Sequence, residues 1–384
     1  MPKEKPSKKP VTKRPPGPVD MVGIMATVGD PRREHGKRHK LEDVLTIALC
    51  TILCGHSEFT EMEFFGKLRR EWLEGFLGLP NGIPSHDTFR NVMALIDPAE
   101  FLGAFTLWTQ NVYEKSDGEV VAFDGKALRG TKCDLAEMTT TVGAWAAGAG
   151  ISLGQVKVDG KSNEITALPK LLEILDLEGC IVTADAMGCQ RQVVEKCVEA
   201  GADYVIALKG NQPTLHEGVS GAMDAIAGED EPGHVAEDRG HGRTEVRRCW
   251  AIDSVGDWLE GHEKWEGLRS IAVVESERAV KGETSVERRY CISSLPPDAA
   301  KIEGAVRSHW RVENSLHWVL DVVFGEDAAR ARTKNAAGNL SSLRRLALNL
   351  IKKEEQYSDW AIKKRRLAAG LDPDYLGKLL GLGL

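Results

Sequence analysis

Apolar and polar residues alternate in three successive runs near the middle of the chain, a pattern typical of β-strands. The runs are VVAFD, which ends at Asp124, then TTTVGAWAA and ISLGQVKVDG. Helical spacing follows in ITALPKLLEIL and RQVVEKCVEAG, and these two helices alternate with the apolar strands CIVTAD and DYVIALKG. The predicted order is therefore β-β-β-α-β-α-β. A right-handed crossover would place CIVTAD, which ends at Asp185, parallel to and beside VVAFD.

The region before these strands is predicted to be helical. HKLEDVLTIALCTILCGHSEFTEMEFFGKLRREWLEGFLG has the apolar periodicity of a helical pair, and PSHDTFRNVMALID opens with a turn before a short helix. Residues 30–115 should therefore form an N-terminal helical domain. Its last helix is compatible with a helix-turn-helix that enters the DNA major groove, where Arg90 would contact a base or phosphate. A packing or dimerisation domain is the alternative.

About ninety residues, 211–300, separate DYVIALKG from the next helical run, which is too many for a loop. RTEVRRCWAIDS, RSIAVVESERA and TSVERRYCISSL alternate like strands, so we predict a β-rich insertion. Arg243, Arg247, Arg248 and Trp250 are candidates to bind phosphates and to stack on an unpaired base. The alternative is a solvated arginine face.

A carboxylate interrupts the apolar face of the run VRSHWRVENSLHWVL. One side of this predicted helix carries Val306, Trp310, Glu313, Leu316 or His317, and Leu320. Burying Glu313 there would be costly without a partner or a metal. The alternative to a metal is a salt bridge, with Arg307 or Arg311 as the partner.

Asp124, Asp185 and Glu313 together match what a two-metal phosphoryl-transfer site requires, which is carboxylates on rigid elements around a pair of divalent ions. Hard oxygen ligands suit two Mg²⁺ or Mn²⁺ ions. For a single aspartate at a strand end, a turn or helix cap is the alternative, and Asp185 precedes Ala-Met-Gly in that way.

Polar residues follow the strand ends at which these acids lie. Loops at the carboxyl ends of strands are where an open α/β sheet binds its ligands, so we expect contacts there to the scissile phosphate. Lys126 would instead pair with an acid if no metal were bound. The candidates are Lys126 and Arg129 after the first acid, and Lys209, Asn211 and Gln212 after DYVIALKG.

Charge is uneven along the chain, whose net charge is −7. Residues 1–40 hold eleven Lys/Arg and four Asp/Glu, residues 328–384 hold twelve and five, and the middle therefore carries −21. Basic ends that neutralise phosphate around an acidic, metal-attracting body suit a DNA-handling enzyme, although solvated tails are the alternative. We predict a disordered basic tail over 1–29 and a basic C-terminal tail over 353–384.

The composition argues against membrane and disulfide-rich proteins. No apolar run approaches the roughly 20 residues that span a bilayer, and the N-terminus lacks the apolar segment of a secretory signal. The eight cysteines include no CxxC pair, so neither zinc nor a disulfide framework is indicated. We expect a cytoplasmic protein.

Several longer strings resemble the DDE transposases of bacterial insertion sequences of the ISAs-one family, which includes the H-repeat-associated proteins. The resemblance runs from about residue 30 to about residue 352, through FDGKALRG, TADAMGCQ, YVIALKGNQ, HGRTEVRR, HWRVENSLHWVLDVVFGEDAARAR and NAAGNLSSLRRLALNLIK. It implies an RNase H-like core, over 116–210 and 301–352, with Asp124, Asp185 and Glu313 as the catalytic triad. It also implies that the insertion helps to hold the transposon end.

One departure from the broader superfamily surrounds the glutamate. The offsets at which that superfamily carries Tyr, Arg and Lys hold Val306, His309 and Leu320 here. We include His309 among the residues expected to contact DNA. Asp321, Glu326 or Asp327 remain possible substitutes for the glutamate.

The predicted protein is an α/β (mixed α+β) DNA transposase that hydrolyses a phosphodiester at transposon ends and transfers the freed strand into target DNA. Its partners would be the two DNAs and at least one further copy of itself. Two alternatives stay open, a nuclease or recombination accessory derived from a transposon, and a non-catalytic DNA-binding remnant.

Overall fold

A nine-stranded sheet runs through the part of the chain that this computed structural model describes, residues 20–132, 138–158, 164–240, 242–253, 256 and 258–383. The strand order across the sheet is β3-β2-β1-β4-β5-β9-β8-β7-β6. In chain order the strands are β1 Val120–Leu128, β2 Thr139–Ala146, β3 Ile151–Lys157, β4 Ile181–Ala184, β5 Asp203–Leu208, β6 His234–Gly240, β7 Arg243–Ile252, β8 Ser270–Val280 and β9 Glu283–Ser293.

Helices precede the sheet, cover its faces and follow it. They are α1 Met21–Met25, α2 Leu41–Leu53, α3 Phe59–Leu68, α4 Arg70–Glu74, α5 His86–Leu95, α6 Pro98–Val112, α7 Glu164–Ile174, α8 Arg191–Glu199, α9 Pro213–Glu229, α10 Ala299–Val312, α11 Ala336–Lys353, α12 Ile362–Leu371 and α13 Pro373–Leu379. No single helix in the described ranges is long and apolar enough to cross a membrane, and only α5 and α6, bent by 91°, pass that test as a pair.

Strand pairing brings the first two acids to the same edge of the sheet. β1 is antiparallel to β2 and parallel to β4, with Phe123 opposite Ala184. Asp124 and Asp185 are the next residues along these two strands. β4 is in turn parallel to β5, so β3-β2-β1-β4-β5 has the strand order of an RNase H-like core. The predicted fold class, a mixed α/β protein with a helical N-terminal region, is confirmed.

Alternation along β1 decides which way Asp124 points. Val121 and Phe123 pack in the apolar cluster that includes α7 and α8, whereas Ala122 packs in the cluster that includes Leu316 and Leu320. Because successive side chains of a strand point to opposite faces, Asp124 shares the face of Ala122. It therefore points toward the segment that follows α10.

The segment predicted as a β-rich insertion extends this same sheet. β9 pairs antiparallel with β5, where Val205 lies opposite Ser293, and β8, β7 and β6 follow by successive antiparallel pairing. The segment also contains α9, a 17-residue helix that the strand-like patterns did not predict.

Both ends of the chain differ from the tails that were expected. Residues 1–19 lie outside the described residues, but α1 falls within the predicted disordered tail, and its Met21 amide donates to the Leu380 carbonyl at 2.9 Å. The predicted C-terminal tail forms α12 and α13. Arg365 and Arg366 are buried there, and Arg366 donates to the Ile52 carbonyl at 2.7 Å. Charge counts missed this because carbonyl acceptors satisfy these guanidinium groups.

Candidate metal centre

Asp124 and Asp185 reach the site from two neighbouring strands. Asp124 lies within β1, and Asp185 is the first residue after β4. One oxygen of Asp185 accepts hydrogen bonds from the amides of Met187 at 3.0 Å and Gly188 at 3.3 Å. Asp185 therefore also caps the short turn that follows it, which holds its carboxylate at the strand end.

Glu313 enters from the end of α10, where the helix continues as two π-helical turns, Glu313–His317 and Val319–Val323. Such turns are rare and occur frequently at functional sites. The glutamate side chain is 65% exposed, so the expectation of a carboxylate buried in an apolar stripe is wrong. Trp310 and Trp318 are exposed on the same segment, and Trp310 borders the cavity that reaches Glu313.

The salt bridge considered as the alternative role of Glu313 is absent from the described residues. Arg307 pairs with Asp238 at 3.2 Å instead. In the described part of the chain, no lysine or arginine forms an ion pair with Asp124, Asp185 or Glu313. The three carboxylates thus lack a cationic protein partner there.

A buried histidine lies between two of these acids. His317 Nδ1 is 3.4 Å from Asp124 Oδ2 and 3.3 Å from Glu313 Oε2. Donor atoms of these three residues all lie within 4.8 Å of one another, which is close enough to surround one ion. Burial, together with the charges of Arg345 and Lys126, lowers the pKa of His317 to about 3, so its ring is neutral at pH 7.

Crowding of carboxylates has a clear electrostatic effect. Burial raises the pKa of Asp124 to about 7, and the charges of Asp185, Glu164 and Glu313 contribute to the rise. Glu164, the first residue of α7, is pressed against Gly125, where an added Cβ would lie 2.3 Å from Glu164 Oε1. Only glycine at position 125 permits this approach. A divalent cation would relieve the repulsion, because it favours the ionised carboxylates.

A second set of acids lies beside this centre, each within ion-pair distance of a basic side chain, although neither oxygen of Glu326 accepts a hydrogen bond from a described residue. Asp321 accepts from Lys126 Nζ at 2.7 Å, and Glu326 lies 3.6 Å from Arg345 and 4.0 Å from Lys126. Asp327 faces Arg129 at 3.6 Å. Lys126 therefore follows the alternative expected for it in the absence of metal and does not face phosphate, since its side chain is only 7% exposed and its ammonium pairs with the partly buried Asp321.

Two residues of the predicted DNA-binding strand are also structural. Arg247 is buried and pairs with Glu303 and, at 2.9 Å, with Asp238. Trp250 is buried, and its indole nitrogen donates to the Asp230 carbonyl at 2.9 Å. Both predictions are corrected for the same reason: these side chains point into the contact between the sheet and its helices. Arg248 pairs with Glu275 and Glu277 on the neighbouring strand.

Other predicted contacts remain at the surface. Arg243 begins β7 and borders a cavity of about 330 Å³ that reaches Glu313. Five of its lining residues are arginines and three are glutamates: Arg243, Arg247, Arg278, Arg289 and Arg307, with Glu245, Glu287 and Glu313. Arg129 is exposed, and Arg90, on α5, is half-exposed and pairs with Asp87 at 2.8 Å.

A cavity of about 430 Å³ opens beside Asp185, with Lys209, Asn211, His309 and Trp310 in its wall. Asn211 donates to the Ala186 carbonyl at 2.6 Å, and Gln212 donates to the Cys189 carbonyl at 3.0 Å. His309 shares a hydrogen bond with Thr183 Oγ1 at 3.1 Å, and burial lowers its pKa to about 4. Asn211 and Gln212 thus brace the loop around Asp185.

Comparison with known protein families shows which family the chain belongs to. The family model described as "Transposase DDE domain" matches residues 115–350, and a companion model described as "DDE_Tnp_1-associated" matches residues 22–109. The chain belongs to the DDE transposase family. The family resemblance inferred from the sequence is thereby confirmed, and membership implies a nuclease-type enzyme that uses divalent metal.

Relatives of this DDE transposase family member match it over nearly their whole length. "Putative transposase YncI" of Escherichia coli O157:H7 is 36% identical over 94% of each chain. "H repeat-associated putative transposase YhhI" of Escherichia coli K12 is 35% identical over 94% of this chain and 97% of that protein. A solved piggyBac transposase complex with hairpin DNA covers 94% of this chain and 78% of its own, with 11% identity and a TM-score of 0.43.

Sequence reasoning missed two residues of the DDE transposase centre. His317 was noted only as part of a helix face, although it follows Glu313 by one helical turn, which is a signal that could have identified it. Glu164 comes close to Asp124 only through the packing of α7 on the sheet. No local pattern pointed to it.

Proposed function

We propose that the protein is an active DNA transposase in which Asp124, Asp185 and Glu313 hold two Mg²⁺ or Mn²⁺ ions. The reaction is hydrolysis of a phosphodiester at each transposon end, followed by attack of the freed 3′-hydroxyl on target DNA. Ions bound there would activate the attacking oxygen and stabilise the leaving oxygen. The donor set fits such ions, because hard carboxylate oxygens are their usual ligands.

One observation carries the proposal. Donor atoms of Asp124 and Glu313 lie within 4.8 Å of one another, and the Asp185 charge acts on Asp124 from the end of the neighbouring strand, although Asp185 is outside that close group. None of the three has a lysine or arginine partner among the described residues, whereas the nearby acids form ion pairs. Asp321, Glu326 and Asp327 each face a basic side chain, which leaves Glu313 as the third metal ligand. A clustered set of uncompensated carboxylates needs an external cation to be ionised together.

Different residues of the chain have different roles in the proposed reaction. Asp124 supplies a ligand from within β1 and Asp185 from the end of β4, and Asn211 and Gln212 hold the adjoining loop. Arg243 and the other exposed arginines of its cavity would bind DNA phosphates next to Glu313. Lys209, His309 and Trp310 border the cavity beside Asp185, where they would contact the cleaved strand. Arg129 and Arg90 would contact phosphates farther from the acids.

Cleavage of a duplex that carries the element's end tests the proposal. Asp124→Asn, Asp185→Asn and Glu313→Gln should each abolish cleavage in Mg²⁺ and leave duplex binding largely intact, because the amide keeps the shape and loses the ligand charge. Asp327→Asn is the matched control and should still cleave, since Asp327 faces only Arg129 at 3.6 Å. Near-normal cleavage by any of the three triad variants would exclude that residue from the metal centre.

We also propose that two or more protomers act together on DNA, because the reaction joins two transposon ends. The mass of the protein bound to an end duplex, measured by analytical ultracentrifugation, should correspond to at least two chains. A complex of one chain with one duplex that carries out strand transfer would contradict this.

A further inference from the structure

His317 supplies a nitrogen donor at the distance expected for a neighbouring ligand of the same ion. Octahedral metal–oxygen bonds of about 2.0–2.1 Å place adjacent donors about 3 Å apart. His317 Nδ1 is 3.4 Å from Asp124 Oδ2 and 3.3 Å from Glu313 Oε2. The separations match adjacent positions in one coordination shell.

Burial restricts the position of the His317 ring before any metal binds. The His317 side chain is only 7% exposed, although Glu313, one turn earlier, is largely exposed. The ring lies beside the two carboxylates at the end of the π-helical turn Glu313–His317, and its burial limits the positions that it can adopt. A ligand fixed in advance loses little conformational entropy when a metal binds.

We propose that His317 is a further ligand of the metal centre, binding through Nδ1 the ion that Asp124 and Glu313 share, and that the centre therefore prefers manganese to magnesium. This inference rests on the proposed function. Imidazole nitrogen is a good ligand for transition metals, whereas magnesium is bound almost entirely by oxygen. The preference for manganese is a consequence of the mixed donor set.

The competing arrangement is a hydrogen bond from Nδ1–H to one of the carboxylates. That arrangement would position the acids without placing nitrogen on the metal. His317→Asn separates the two, because an asparagine amide can reach the same carboxylates and donate to them but removes the imidazole nitrogen. His309→Asn is the matched control, because His309 is also near the acids but its Nδ1 is engaged with Thr183 at 3.1 Å.

Pulsed electron paramagnetic resonance of the full chain loaded with Mn²⁺ detects a nitrogen ligand of the ion directly. A nitrogen bonded to Mn²⁺ gives a ¹⁴N modulation that changes when histidine is labelled with ¹⁵N. We expect this modulation in the wild type and in His309→Asn, and its loss in His317→Asn. The ratio of Mn²⁺ to Mg²⁺ affinity, measured by competition, should fall at least about tenfold in His317→Asn.

The outcomes separate this inference from the proposed function. Mn²⁺ that binds the wild type, fails to bind Asp124→Asn and shows no histidine modulation would overturn the ligand role of His317 and leave the carboxylate centre intact. Modulation that persists in His317→Asn would overturn it as well. Failure of Mn²⁺ to bind the wild type would overturn both proposals. If His317→Asn does not fold, loss of the modulation in His309→Asn would still contradict the assignment.

Discussion

Two neighbouring groups of acids have opposite surroundings. On β1, Asp124 and Lys126 are two residues apart, and on the helical segment after α10, Glu313 and Asp321 are eight apart. Asp321 and Glu326 are matched by Lys126 and Arg345, both buried. We call Asp321, Glu326, Lys126 and Arg345 the paired cluster, and Asp124, Asp185 and Glu313 the open cluster.

The difference distinguishes residues that stabilise the fold from residues that we propose to bind metal. In the paired cluster each charge has a partner inside the protein, and removal of one partner leaves a buried charge uncompensated. In the open cluster, the basic group that the described residues place within 4.0 Å of Asp124 and Glu313 is His317, whose lowered pKa leaves it neutral. We infer that charge balance in the open cluster is completed from outside, by metal.

The largest expected effects come from one substitution in each cluster. Glu313→Gln should reduce cleavage by more than about a hundredfold, with little change in the free energy of unfolding. Glu326→Gln should do the reverse, because Arg345 would lose its carboxylate partner in a buried site. Cleavage assays and urea denaturation of both variants check this. Equal loss of stability in the two would remove the distinction between the clusters.

Lys126→Met tests the paired cluster alone. It should lower the free energy of unfolding by about 3 kcal/mol, since Asp321 and Glu326 would then lack Lys126. Arg129→Met is the control, because the exposed pair of Arg129 with Asp327 should contribute less than about 1 kcal/mol. Denaturation midpoints measured side by side give the comparison. A Lys126→Met protein as stable as the control would contradict the assigned role.

The carboxylates of the open cluster should make the stability of the protein depend on pH. The pKa of Asp124, raised to about 7 by burial and neighbouring carboxylates, lies above its unfolded value of 3.8. Without metal, the resulting contribution to stability is present at low pH and is lost as pH rises from about 4 to about 7. Asp124→Asn should therefore be stabilising relative to the wild type by about 4 kcal/mol more at pH 8 than at pH 4, since a change of one in pKa corresponds to about 1.4 kcal/mol.

Bound metal should oppose this loss of stability at high pH. Because Mn²⁺ competes with the proton for Asp124, the rise in melting temperature that it causes should grow between pH 6 and pH 8 in the wild type. Asp124→Asn should show little rise at either pH. A metal-induced rise that is the same in both proteins would place the bound ion elsewhere.

The smallest effects concern DNA contacts. Arg243→Ala should weaken binding to end and scrambled duplexes alike and reduce the salt dependence by about one phosphate contact. Arg90→Ala should change the ratio of the two affinities if α5 contacts bases. Binding isotherms at several salt concentrations distinguish these outcomes. An unchanged ratio for Arg90→Ala would assign the N-terminal helices to protein contacts.

The comparison also explains what the sequence could and could not predict. The strands that carry Asp124 and precede Asp185 were predictable, because alternation and apolar runs are local properties of VVAFD and CIVTAD. The end of the first strand was not, since β1 continues past Asp124 to Leu128. The pairing of Lys126 with Asp321 was not, since 195 residues separate them. Arg247 likewise finds Glu303 across 56 residues. A basic residue in a pattern gives no sign of whether its partner is phosphate or a distant carboxylate.

A crystal structure of the protein soaked with Mn²⁺, with the anomalous signal of manganese, tests the central claim most directly. The account predicts an anomalous peak within ligand distance of Asp124 and Glu313, with Lys126 still bound to Asp321. A peak at Asp321 and Glu326 with Lys126 displaced, or no peak beside Asp124, would contradict it.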